Sequence, residues 1–486
     1  MSVANLEAPA PITREPAVSG RASITLAVLL AATFMSTLDF FIVNVAVPSV
    51  QSDLSATAGQ IQWTIAGFAL AVGAGVITAG RLGDLFGRRR MFALGLGSFV
   101  ATSAACGLAP NAGGLVGARV AQGLAAALMT PQVLAIIGTH YSGKALTKAY
   151  TAYGLTMGLA AVFGQLIGGV LIRTDLFDLD WRTCFLINVP IGIAALLLTP
   201  RYVPDRSAAP AAGGRTRLDL VGVILISAAL VATVLPLIQG RAQGWPVWTF
   251  LSFLAAAALF IGFVLHQRWL AARSASPLID LGMFADRAFS TGMTVQLVAW
   301  MGQGSFFLVF ALYLQQGLGL SALTSGFVFV AIGTGYIATS IVSGTVVQRL
   351  GRQTVALGAV LMIVGLLGLL VAADHIQTTG TVWWLVPGLV VDGAGMGLII
   401  APMASIVLAR VAPEHAGAAS GVLSTVMQVG GALGIAVIGI IFYGAAPDGI
   451  PHAFKLSIGF LIAVAAGVMI GMQCVPDRHA QRVPAP

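Results

Sequence analysis

Three ionisable side chains fall inside long apolar stretches of a 486-residue chain that is 58% hydrophobic and only 9% charged: Asp39, Arg119 and Asp392. A charge in hydrocarbon is expensive and is kept where it meets a partner, a water-filled cavity or a substrate. Asp39 and Arg119 fall at depths where they could meet. Such a pair is either a fixed brace for the helices around it or a proton-coupling site. In the second case burial and the neighbouring cation act on the carboxyl in opposite senses, so rearranging the pair changes proton occupancy. Asp392, in LVVDGAGMG, has no identifiable buried Lys or Arg partner in its own half. It is expected to be protonated, cavity-hydrated or close to substrate. It reads either as a second proton site or cation contact, or as a neutral acid hydrogen-bonded in a Gly-rich helix crossing.

Charge also concentrates in GRLGDLFGRRR, Gly80 to Arg90, between two apolar runs. A weaker copy stands at GTVVQRLGRQ: Gly80, Gly87 and Arg88 match Gly344, Gly351 and Arg352, while Asp84 is replaced by Gln348. Gly83, Arg81 and Arg89 complete the first copy. Asp84 can pair with Arg88 one turn away, a charge cluster able to form in one conformation and break in another. The plainer reading is a positive turn that fixes topology. Asn44, Gln122, Gln165, Gln296, Gln303 and Gln428 are polar groups within apolar spans, either bonding neighbouring helices or facing a cavity. Phe40, Phe41, Trp63, Met301, Phe306 and Phe307 could line an adaptable surface for apolar compounds, or serve as core.

These residues need helices to hold them. Apolar runs long enough to cross a ~30 Å hydrocarbon core, about 20 residues each, recur along the chain. We read spans at 22–50, 59–80, 91–109, 113–138, 147–172, 183–200, 219–239, 247–266, 289–314, 322–347, 354–373, 382–409, 416–443 and 453–474. This is an all-α polytopic membrane protein with 14 transmembrane helices. The ~10-residue alternation of a transmembrane β-barrel is absent. The repeated motif implies two halves: a six-helix bundle at 22–200 and another at 289–474. Between them lie a linker at 201–218, two inserted helices at 219–266 and a second linker at 267–288; tails occupy 1–21 and 475–486.

Lys and Arg crowd onto alternate connections, which puts both termini in the cytoplasm of a cell-membrane protein. That asymmetry accounts for the net charge of +8. No basic cluster with interleaved aromatics points to nucleic acid. Cys106, Cys184 and Cys474 and the six histidines lack metal-ligand spacing, and no phosphate-binding GxxxxGK[ST] is present. We therefore expect no metal, no cofactor and no enzyme activity.

The chain resembles the fourteen-helix drug:proton antiporter branch of the major facilitator superfamily. GRLGDLFGRRR is similar to its helix 2–3 motif, LDFFIVNVAVP (Leu38 to Pro48) to its helix 1 motif, and RVAQG (Arg119 to Gly123) to its helix 4 motif. WRTCFLINVPIG (Trp181 to Gly192) and GAASGVLSTVMQVGGALGIA (Gly417 to Ala436) agree. GQLIGG, Gly164 to Gly169, departs from the antiporters' GPxxGG, with Gln165 in place of proline. The resemblance implies a major facilitator fold of two bundles plus two central helices. The first motif then latches the halves on the cytoplasmic side and favours the outward-open state. It also implies a monomer that is driven by the proton gradient and exports amphipathic or cationic compounds by alternating access. Alternatives are a dedicated exporter of an endogenous metabolite, peptide or antibiotic, and a non-transporting sensor or scaffold on the same fold. Aligning the halves would set Asp392 facing Arg119 across the cavity.

Overall fold

In hydrocarbon every backbone N–H and C=O has to be satisfied within its own segment, so the apolar runs close into helices. A computed structural model describes residues 20–204, 219–273, 277–279, 281–408 and 416–475. Most of both tails, residues 205–218 of the first linker, and Arg410 lie outside the described residues, as do the side chains of Asp84 and Lys144.

The first half comprises α1 (Gly20–Leu54), α2 (Ala58–Phe86), α3 (Arg88–Gly107), α4 (Ala112–His140), α5 (Gly143–Thr174), the single turn α6 (Thr183–Leu186) and α7 (Asn188–Tyr202). Then come α8 (Leu220–Gln239) and α9 (Val247–Ala272). The second half is α10 (Arg287–Leu312), α11 (Ala322–Leu350), α12 (Gln353–Thr379), α13 (Leu385–Leu408), α14 (Ala416–Ala445) and α15 (Ile450–Cys474). Among the described residues thirteen stretches are long and apolar enough to cross a membrane, the turn α6 and α7 counting as one. The fourteenth pass is α3, whose arginines and Ser98, Thr102 and Ser103 dilute its apolar run; it packs on α4, α7 and α2 all the same.

Short polar side chains start the helices. Thr57 and Gln60 form a reciprocal capping box on α2, while Asn111, Asp219 and Ser321 each accept a backbone N–H at the head of α4, α8 and α11. Glycine stops them. α2 and α11 run past the expected ends at 80 and 347 to Phe86 and Leu350, so most of each motif copy is helix rather than loop. Each breaks where glycine takes a φ that a side chain would resist, +95° at Gly87 and +54° at Gly351.

Within the first half α1 packs on α5 and α2 on α4; within the second α13 packs on α11 and α12, and α10 on α14. The halves meet along two seams, α5 against α11 and α2 against α14. Helix α8 lies on the second seam and touches both α2 and α14, so the inserted hairpin bridges the halves. At the end opposite the termini, α10 runs into a π-helical turn, Tyr313–Gly317. This turn sends Gln315 Nε2 to the Val45 carbonyl (3.0 Å) and Gln316 Nε2 to Gln51 Oε1 (2.9 Å), both on α1. These two bonds tie the halves together at that end.

Candidate functional site

Asp39 and Arg119 meet. Both side chains are fully buried, and Arg119 Nη1 donates to Asp39 Oδ2. Helix α1 supplies the carboxylate and α4 the guanidinium, and the surrounding helices complete the set. Asp39 Oδ1 accepts from Gln122 Nε2 and from Asn188 Nδ2, each at 2.9 Å. Ser103 Oγ accepts from the same two amides at 3.1 and 3.0 Å, and donates to the Phe185 carbonyl at 2.8 Å. Arg119 Nε reaches the Thr64 carbonyl of α2 at 2.9 Å, and Nη1 also donates to Gln122 Oε1 at 2.8 Å. Arg119 Nη2 is buried without a hydrogen-bond partner among the described residues. One ion pair thus ties α1, α2, α3, α4 and α7 together, with a spare donor that gives it a second possible arrangement.

The network borders a central cavity between the halves. Phe40, the residue after Asp39, lines it with Phe41, Phe68, Tyr153, Trp300 and Gln428. The Arg119 guanidinium stacks 4.3 Å from the Phe68 centroid, so one ring separates the buried charge from the cavity. Phe41 crosses the interface to Phe307, with centroids 4.8 Å apart. The open volume is about 80 Å3, against roughly 300 Å3 or more for a pocket that holds a drug-sized ligand. The cavity has to widen to take one.

The other candidates scatter. Gln165 Nε2 donates to the Phe41 carbonyl at 2.7 Å and holds α5 to α1, while Asn44 Nδ2 donates to the same carbonyl at 3.0 Å within α1; neither lines the cavity. Gln122 belongs to the ion-pair network. Gln296 and Gln303 line a second space among α10, α12, α13 and α15, together with Phe306. The Met301 backbone lies against Gly434 of α14, and Trp63 packs against the core with its indole nitrogen buried and unpartnered.

Asp392 does not face Arg119. Arg119 is committed to Asp39, and Asp392 sits where α13 presses on α12: a Cβ at Gly365 would lie 2.5 Å from the Asp392 nitrogen. Glycines at that crossing draw the two helices together. Both Asp392 carboxyl oxygens are buried without a hydrogen-bond partner among the described residues.

In the motif region Arg88 Nη1 donates to the Ala135 carbonyl of α4 at 3.1 Å. Gln132 wedges against Gly83 and bonds the Ala79 carbonyl at 2.7 Å. Gly80 lies beside Pro131, and Arg89 is half-buried at the start of α3. In the second copy Arg352 donates to the carbonyls of Gln473, in the last turn of α15, and Val475, just past it, while nothing crowds Gly344. Arg81 reaches out of its half, to the Pro277 carbonyl in the segment that enters α10. That segment is anchored in turn. Gln267 Oε1 accepts from Ile279 N (3.2 Å), and Gln267 Nε2 (2.6 Å) and His266 Nε2 (2.8 Å) both meet Asp219. Burial pushes the Asp219 carboxyl upward, but hydrogen bonds from Gln267, the Gly222 N–H and His266 outweigh it and hold the group below the usual carboxylate range.

Asn188, Ser103, Tyr153 and Trp300 were not singled out from the sequence. The signal for Asn188 was present: an amide inside the apolar part of WRTCFLINVPIG, where a buried polar group needs partners.

The sequence pattern of the Major Facilitator Superfamily matches residues 29–435 and, in a second match, 292–484. The chain belongs to this superfamily. Its second match falls on the second half, in keeping with the repeated motif. This facilitator is 38% identical over 420 residues to a probable actinorhodin transporter of Streptomyces coelicolor, covering 86% of this chain and 72% of that protein. It is 33% identical to a tetracenomycin C resistance and export protein of Streptomyces glaucescens, covering 93% and 82%. Such relatives put it in the superfamily's drug-efflux family. The fold matches a solved POT family transporter, with a TM-score of 0.65 at 14% identity, over 93% of this chain and 96% of that one.

Proposed function

We propose that this protein is a proton-coupled exporter of small antibiotic-like compounds, working by alternating access as a monomer in the cell membrane with both termini in the cytoplasm. The observation that carries the reading is the fully buried Asp39–Arg119 pair, separated from the central cavity by a single ring, Phe68. When Asp39 carries a proton its hold on Arg119 is lost; a compound settling on Phe68 and Phe40 presses the guanidinium back onto the carboxyl, which favours the anion, and Asp39 gives up its proton. Proton entry from outside resets it, so export and proton uptake alternate. The Arg-rich ends face the cytoplasm by the positive-inside rule. The Gln315 and Gln316 contacts then close the outer side, and the cavity loads from within. Neither an ATP site nor a cofactor has a part. Asp392, with no partner for a charge, suits a second, proton-carrying acid better than a cation contact.

The names of the two Streptomyces relatives favour one refinement, export of one antibiotic or a narrow set rather than broad multidrug efflux. The test uses inverted membrane vesicles with a fluorescent ΔpH probe and a panel of compounds. Compound-dependent proton release is expected in wild type and lost in Asp39→Asn. If no compound moved protons in wild type, the sensor or scaffold reading on the same fold would replace this one.

A further inference from the structure

The groups around the central cavity carry information about the cargo's charge. No Asp, Glu, Lys or Arg lines it. The one carboxylate close by, Asp39, is enclosed by Arg119, Gln122 and Asn188. The guanidinium behind Phe68 leaves the cavity face of that ring a poor seat for a second cation, because the two would act through the same ring. An organic cation entering here would lose its hydration and gain no counter-charge.

Among the polar groups that line the cavity, Thr33, Ser36 and Thr130 donate to the carbonyls of Leu29, Thr33 and Ala126 in their own helices. Tyr153, Trp300 and Gln428 make no hydrogen bond among the described residues, so a phenol O–H, an indole N–H and an amide NH2 belonging to residues of the wall have donors to spare. Two of these side chains are on the second half and one on the first. The rest of the wall is mainly apolar, the rings of Phe40, Phe41 and Phe68 with Val72, Met129, Val133 and Met157.

Resting on the export reading above, we infer that the cargo is an uncharged, planar aromatic molecule bearing carbonyl or hydroxyl oxygens. Its rings stack on the phenylalanines, and its oxygens accept from Tyr153, Trp300 and Gln428. These three residues set specificity and take no part in proton transfer. Because the donors sit on opposite halves, a bound oxygenated ring joins the halves across the cavity.

Two probes of one scaffold test this: a dihydroxyanthraquinone, and the same ring carrying a trimethylammonium group. Binding is read as quenching of tryptophan fluorescence in purified protein, with Trp300→Phe as the control, and transport as uptake with proton release in inverted vesicles. The neutral probe is expected to bind about tenfold more tightly or better, an uncompensated charge being costly to bury. Tyr153→Phe and Gln428→Leu are expected to raise KM for the neutral probe severalfold, leaving its maximal rate and the cationic probe unchanged. A cationic probe bound as tightly as the neutral one, no binding of either, or an unaltered KM in both variants would overturn the inference. Binding of the neutral probe with no proton-linked flux would instead overturn the export reading.

Discussion

Removing Arg119 should cost this protein far more than removing both members of its ion pair. In Arg119→Met the Asp39 carboxylate stays fully buried, loses its only cation and keeps two amide donors, from Gln122 and Asn188. The Thr64 carbonyl and Gln122 Oε1 each lose a donor as well. Breaking a buried pair from one side typically destabilises by about 3–5 kcal/mol. At about 2–4 °C per kcal/mol for a domain of 150–250 residues, that is a fall in Tm of about 6–20 °C. Asp39→Leu with Arg119→Met removes both charges, and Gln122 and Asn188 keep their bonds to Ser103. The double variant should therefore lie well above Arg119→Met. The assay is built into the chain: Cys106 and Cys184 are buried and Cys474 is exposed. With Cys474→Ser as background, a thiol-reactive dye that fluoresces on coupling reports unfolding directly. A Tm for Arg119→Met within about 2 °C of wild type, or a double variant less stable than Arg119→Met, would refute the reasoning.

Gln51→Cys with Gln316→Cys should be bridged by a short bifunctional methanethiosulfonate, since the native side chains meet tip to tip at 2.9 Å and the shorter cysteines leave a gap for the linker, and transport should stop until reductant is added. Failure to cross-link would mean that this end is not closed in the membrane. Gly393→Ala places a Cβ 2.0 Å from the Ile332 carbonyl, and backbone cannot yield as a side chain can. A loss of about 1–3 kcal/mol is expected in the dye assay, while Gly117→Ala, with open space around it, should be neutral. The Asp219 carboxyl is held below its ordinary value, so its stabilising contribution is present at neutral pH and fades as pH falls through the folded value. The Tm gap between wild type and Asp219→Asn should therefore close below about pH 4; a gap constant across pH would deny the group its anionic role.

The ion pair was legible in the sequence because a charge in a long apolar run stands out and only one opposite charge was available in the same half. Its helpers were harder to read. Asn188 and Ser103 matter because α7 packs on α1 while α3 packs on α4 and α7, a tertiary fact without a local pattern. For Asp392 the sequence left a cavity site and a Gly-rich helix crossing open; Gly365 and Gly388 let α12 and α13 close on each other at its backbone, a contact that no local pattern states. The helix ends were misplaced for a related reason. Arg81 to Phe86 look like a charged loop, yet long polar side chains at a helix end can reach water while the backbone stays helical, so the chain turns only at Gly87. The cavity was the least legible part, because Tyr153 and Trp300 become neighbours only when the two halves come together.

The central claim is that Asp39 gives up a proton when cargo binds. Purified protein in weakly buffered detergent with a pH-indicating dye reports this without a membrane or a gradient. Adding a transported compound to wild type is expected to release protons in a saturable manner, and Asp39→Asn is expected to bind the compound and release none. Proton release from Asp39→Asn equal to that of wild type would contradict the claim.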